Sequence, residues 1–229
     1  MGPRDNVFNL QKAGGIAALV EAFAYIAGFT IMATLLNPGD TQGWTPDQKL
    51  SFALERQSTF QALTILIYVV FGIALVFLAV ALHERLSSRS SDLMKIATPF
   101  GLIWAGLVIA SGMVGSVGLE AVAALHAQDA AHAASVWTAI GAIQDGLGGG
   151  VEIVGGVWVL LISIASLRSS ALPAALSYLG FIVGAAGILT VIPSLAELGT
   201  VFGLGQIIWF AWLGIIMIRA RPSGGGGAT

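Results

Sequence analysis

The chain has 229 residues, 56% of them hydrophobic and only 10% charged, against about 25% charged in typical soluble domains. Too few polar groups are present to clothe a water-facing surface, so the exterior must face hydrocarbon. A net charge of -2 offers no basic footprint for nucleic acid. The absence of cysteine rules out disulfides, thiolate nucleophiles, iron–sulfur clusters and Cys-type zinc sites.

A bilayer core about 30 Å thick needs about 20 apolar residues in a helix. Six stretches meet that length: 13–36, 59–83, 96–119, 141–167, 174–198 and 201–219. They are continuous rather than alternating over short runs, which favours helices over barrel strands. The first run is too long for a signal-peptide core and is read as a retained anchor. The first loop contains Thr45-Pro46-Asp47-Gln48, with Thr as N-cap, Pro at N1 and Gln at N3. That pattern predicts a capping box and a short interfacial helix over 46–57. The third and fourth apolar regions exceed the bilayer's need, and their Ala-rich junction from Glu120 to Thr138 is expected to turn near Gln128-Asp129. Ser169 to Pro173 reads as a tight turn, Pro193 as a kink in the fifth span, and Gly199-Thr200 as a stop followed by an N-cap.

Charge placement sets direction. Arg4, Lys12, Arg85, Arg89, Lys95, Arg168, Arg219 and Arg221 fall on one side, and only Lys49 and Arg56 on the other. By the positive-inside rule both termini are cytoplasmic. The expected fold is an all-α polytopic bundle of six transmembrane helices forming one domain over 1–221. A flexible Gly-rich tail over 222–229, including Gly224–Gly227, follows it.

Helices in lipid gain little from apolar burial against each other, so small residues that admit close backbone approach matter. Ala24 with Gly28, Ser111 with Gly115, Gly146 with Gly150 and Gly180 with Gly184 all have the small-xxx-small spacing. Packing within one bundle is the favoured use of these faces, and docking of a membrane-protein partner or a second copy is the other. Gly146-Leu-Gly-Gly-Gly150 would also loosen the fourth helix.

From Lys95 to Arg168 no Lys or Arg occurs, yet Glu120, Asp145 and Glu152 do. Glu21 lies inside the first span and Glu152 inside the fourth, both expected in the middle third of the bilayer. On a continuous helix Asp145 and Glu152 share a face, two turns apart. Gln144 lies beside that face, Gln206 is expected at the depth of Glu152, and Tyr25 is placed to donate to Glu21. Acids without sequence-near cations must hold protons, line a wet cavity or bind a cation or basic ligand. Glu21, Asp145, Glu152 and Gln206 are therefore the candidate proton- or substrate-binding residues. A protonated Glu that merely glues helices is the competing interpretation. Glu120 and Glu197 are expected at a solvated boundary.

His126, Asp129 and His132 form the single metal-like group. Their spacing matches no established ligand set and fits a solvated loop tip better. His83 reads as an interfacial residue, and a bis-His haem lacks a second intramembrane histidine. Ala110-Ser111-Gly112-Met113-Val114-Gly115 superficially resembles a rhomboid serine loop, but the last span has no histidine base. The last span also has no lysine for retinal, and no phosphate-cradling glycine loop appears. The balance is against an enzyme, and no cofactor is indicated. Trp44, Trp104 and Trp209 read as interfacial anchors or packing groups.

The opening Gln11-Lys12-Ala13-Gly14-Gly15-Ile16-Ala17-Ala18-Leu19-Val20-Glu21-Ala22, with Leu179-Gly180, Gly184 and Gly187 later, resembles small bacterial multi-pass membrane proteins grouped as a domain of unknown function. The resemblance implies a bacterial inner-membrane location and supplies no activity. Val20-Glu21 and Val151-Glu152 stand at corresponding places in spans one and four, as an inverted repeat would place them. A small proton-coupled transporter or channel-like protein fits these features best. The alternative is a non-catalytic accessory subunit or lipid-binding scaffold.

Overall fold

The structure, a computed structural model, describes residues 3–220, with side chains described from Leu10 onward. The elements are α1 (Pro3–Ala33), α2 (Pro46–Glu55), α3 (Gln57–Thr64), α4 (Phe71–His126), α5 (Ala130–Gln144), α6 (Ile153–Ser169), α7 (Ala174–Leu189) and α8 (Leu198–Arg219). Two π-helical turns, Ile65–Val70 and Asp145–Gly149, join α3 to α4 and extend α5. No strand occurs among the described residues.

The expected capping box forms. Gln48 N–H donates to Thr45 Oγ1 at 3.2 Å, and Thr45 N–H donates to Gln48 Oε1 at 2.8 Å, so two end donors of α2 are satisfied reciprocally.

α4 does not run straight. Ser90 leaves helical geometry at φ -144°, ψ 43°, and the chain doubles back there. His83 Nδ1 lies 2.7 Å from Thr98 Oγ1, a pair that would stand about 22 Å apart on a straight helix. Gly101 packs against Ala79, Gly72 against Val108, and Gly112 against Tyr68, so the two halves of α4 form an antiparallel hairpin. The basic region expected as a loop is thus almost wholly helical and reverses about one residue. The Ser90 hydroxyl donates to Ala165 O at 3.2 Å. Arg89 donates to Ser169 O and Arg85 to Ala171 O, each at 3.0 Å. These cations sit where the end of a helix leaves carbonyls unpaired and its dipole is negative.

The other neighbours are antiparallel too. Gly118 packs on Ile140, Gly155 on Trp104, Gly156 on Gly184, Gly205 on Val183, and Gly15 on Ile218. The bundle therefore has a Ser90 end, holding the turn after α6 and the close of α8. The opposite α2 end holds the Ala127–Asp129 turn and the segment 190–197. Phe23, Ile73, Phe77, Ile103, Val117 and Ile182 are exposed around the waist, as lipid-facing residues must be. Among the described residues, four helical stretches are long and apolar enough to cross a membrane: Leu10–Ala33, Gln57–His126, Ala130–Ser169 and Leu198–Arg219.

Three expectations need correction. The fifth apolar stretch is helical only to Leu189, because Pro193 opens a 3-10 turn rather than kinking a longer helix. The Leu189 carbonyl that a proline would orphan accepts from Ile192 N–H at 3.0 Å. Gly199 and Thr200 lie within α8, which already starts at Leu198. The fourth stretch is two helices with a break between them. The side chain of Arg4, together with Arg221 and the Gly224–Gly227 tail, lies outside what is described.

Three of the small-residue pairs pack inside the chain, whereas Gly146 and Gly150 fall in the break between α5 and α6 and have no other helix against them. A β-carbon on Gly156 would stand 2.6 Å from Gly184 O, so α6 and α7 touch backbone to backbone. Gly115 receives the Gln144 carboxamide, and Ser111 and Gln144 exchange side-chain-to-carbonyl hydrogen bonds of 3.3 Å.

Candidate functional site

The break between α5 and α6 organises the site. Gly148 adopts φ +104°, a backbone that side-chain-bearing residues rarely take and glycine takes freely. Gly150 and Val151 N–H both donate to Asp145 O, at 3.3 and 3.1 Å. Glu152 follows as the residue before α6, and its N–H donates to Thr190 Oγ1 at 2.8 Å. That hydroxyl in turn donates to Gly187 O at 2.7 Å. Thr190 therefore brackets the interrupted strand of chain against the end of α7, supplying a partner the helix break would otherwise remove.

Against this break lies a cavity of about 250 Å³. Its walls include Tyr25, Phe29, Tyr68, Phe71, Trp104 and Phe202, with Glu152 as the only ionisable carboxylate and no Lys, Arg or His. The rings interlock. Tyr25 meets Phe71 edge-on at 5.4 Å, and Phe71 meets Trp104 at 5.5 Å. Trp104 meets Phe202 at 6.1 Å. Such edge-to-face contacts hold a wall rigid. A β-carbon on Gly149 would lie 3.0 Å from the Tyr68 hydroxyl, so the helix break lets that hydroxyl approach the backbone.

Among the described residues a set of buried polar atoms has no hydrogen-bond partner. Both carboxylate oxygens of Glu21 and both amide atoms of Gln206 belong to it, as do the indole nitrogens of Trp104, Trp158 and Trp209. Glu21 and Gln206 have no exposed surface at all. Burying such groups unpaired is costly, a carboxylate most of all. Tyr25, one helical turn from Glu21, lies within electrostatic reach of Glu21, Glu152 and Tyr68. Gln206 sits one turn from Phe202 and one from Phe210 on α8, between the cavity wall and the ring that stacks with Tyr25.

The expected residues separate accordingly. Glu152 lines the cavity, Glu21 and Gln206 lie buried behind it, and Asp145 is exposed and outside the lining. Asp145 and Glu152 do not share a helical face, because the Gly-rich break lies between them. Glu152 begins the 17-residue α6, about 25 Å from the other end of that helix. It therefore stands at the end of α6 that faces the α2 end of the bundle. Tyr25 does not bond Glu21, whose oxygens are unpartnered. Glu120 and Glu197 are exposed.

The metal-like trio is dispersed. Asp129 caps α5 by accepting from His132 N–H at 3.0 Å, and His126 Nε2 is 3.2 Å from Asp47 Oδ1. No group of three or more such ligands assembles among the described residues. Trp104 and Trp209 are buried packing groups rather than interfacial anchors. Tyr68 and Trp158 were not singled out from sequence, since the partners that define them come from distant helices.

An exposed apolar waist and spanning-length helices define an all-helical membrane protein, and an acid-bearing, partly open aromatic cavity lies at its helix break. The profile of the domain of unknown function DUF4386 matches residues 13–218. The chain belongs to that family. Neither a curated protein nor a solved structure matches it.

Proposed function

We propose that the chain is a six-span protein of the bacterial inner membrane with both termini cytoplasmic, acting as a small proton-coupled transporter or channel-like protein. The hairpin at Ser90 supports counting Gln57–His126 as two crossings, and counting the short apolar α7 as one more brings the proposed total to six. The basic residues at the Ser90 end support placing that end in the cytoplasm, by the positive-inside rule.

The observation that carries the reading is the interrupted α5–α6 helix with Glu152 at its break. Irregular backbone at membrane depth is tolerated where protein buries it or it lines a cavity, and discontinuous helices commonly build transporter binding sites. Glu152 is the acid that meets cavity contents. Glu21, wholly buried and unpartnered, is the acid to which a proton passes, with Tyr25 between them. Gln206 assists behind the wall, and Asp145 shapes the break through its carbonyl. A carboxylic acid that loads and unloads a proton is the usual relay element in such proteins.

Proteoliposomes test this directly. Glu152→Gln and Glu21→Gln should each abolish proton-linked flux while the purified proteins remain monodisperse on gel filtration. Flux unchanged in both variants removes the transport reading.

A further inference from the structure

We propose that the aromatic chamber is a binding site for a small organic cation with an apolar body, a tertiary or quaternary ammonium, with Glu152 as its counter-charge. The inference rests on the transport reading, because it names the cargo of that same cavity. Six ring systems face a volume of about 250 Å³, below the 300–1,000 Å³ or so of drug-sized pockets, so the ligand is small. The faces of aromatic rings carry negative charge density and attract ammonium groups, and this cavity, lined by six rings, is partly open. A single carboxylate at the wall adds a full opposite charge.

Other ligand classes fit less well. A hard metal cation takes about six or more oxygen ligands, and the walls offer one carboxylate and the hydroxyls of Tyr25 and Tyr68. An anion would meet Glu152 with no basic side chain in the lining. A neutral apolar molecule would leave Glu152 facing hydrocarbon without compensation.

A second cavity of about 170 Å³ shares Met32, Ile67 and Tyr68 with the first. Its lining is mainly apolar, with Phe60, Leu63, Leu119 and Trp137, and carries Gln61, Thr64, Ser116 and Gln144 as its polar side chains. Tyr68 stands between the two spaces on the π-helical turn Ile65–Val70, where it contacts both.

The test titrates the purified full chain in detergent with benzyltrimethylammonium, following intrinsic tryptophan fluorescence, since Trp104 is in the wall. Phenylmethanesulfonate, an anion of similar size, is titrated in parallel. Saturable change with the cation alone is expected, with affinity about tenfold weaker in Glu152→Gln and in Phe71→Leu, the scale of one desolvated charge or cation–π contact. Phe71→Leu keeps the carboxylate and remains informative should Glu152→Gln not fold. Equal responses to both ions, or wild-type affinity in the variants, overturns the site. Cation binding without proton-linked flux overturns the transport reading and leaves the site standing. Proton-linked flux from a protein that does not bind the probe does the reverse.

Discussion

Thr190 shows how one side chain can hold an interrupted helix in place. Its hydroxyl accepts from Glu152 N–H and donates to Gly187 O, using both capacities of a hydroxyl. Thr190→Val keeps the shape and removes both bonds, leaving a buried N–H unpaired at a cost of about 1–3 kcal/mol. Thermal unfolding in detergent should show that loss, with Thr190→Ser restoring most of it. Gly148 is the second such position. At φ +104° an alanine is strained by about 1–2 kcal/mol, so Gly148→Ala should lower the unfolding midpoint and disturb the cavity wall it helps to form. The break was half legible in sequence, because the glycine run announces a weak helix. Its consequence for Glu152 was not, since the angle of departure depends on Thr190, which arrives from another helix.

At the level of elements, glycines fall into two kinds that sequence spacing does not separate. Gly156 is a close-approach residue, with Gly184 O only 2.6 Å from where its β-carbon would sit. Gly106 has nothing within 4 Å of its β-carbon position. Gly156→Ala must push α6 from α7 and should destabilise by about 1–3 kcal/mol, as overpacking does. Gly106→Ala should stabilise by about 0.5–1 kcal/mol, because alanine loses less backbone freedom in a helix. Opposite shifts of the unfolding midpoint would verify the pair, and shifts of the same sign would contradict it. Local signals proved the most readable. The Thr45–Gln48 box needs only four consecutive residues, and it is present as expected. The end of α7 and the start of α8 were misjudged. Apolar composition runs through Thr190 to Leu195, whereas the backbone follows Pro193 and the hydrogen-bonding of Thr190.

Taken whole, the molecule invites a topology test that its composition makes clean. The chain has no cysteine, so each introduced thiol is the only one. Gln42, Ser88 and Ala127 are exposed, Ser88 at the Ser90 end and the other two at the α2 end. In spheroplasts a membrane-impermeant maleimide should label Gln42→Cys and Ala127→Cys, and Ser88→Cys only after lysis. The opposite pattern would invert the proposed orientation. Helical character and the charge bias were legible because they accumulate over many residues. The chamber was not, because Tyr25, Phe71, Trp104 and Phe202 meet only after four separate rods have packed.

The shortness of α7 bears on the proposed transport reading. Its 16 residues give a rod of about 24 Å, shorter than a hydrocarbon slab of about 30 Å, and lipid beside it must pinch or the flanking chain must dip. Thr190 ends that rod and touches Glu152, so if α7 is the proposed span, the cavity would lie beneath such a thinned region. On the proposed transport reading, the voltage would fall mainly across the remaining thickness, between Glu152 and the Ser90 face. Each 100 mV is worth about 2.3 kcal/mol for a unit charge crossing the full drop, so the proposed transfer from Glu152 to Glu21 is expected to be voltage-dependent in proteoliposomes.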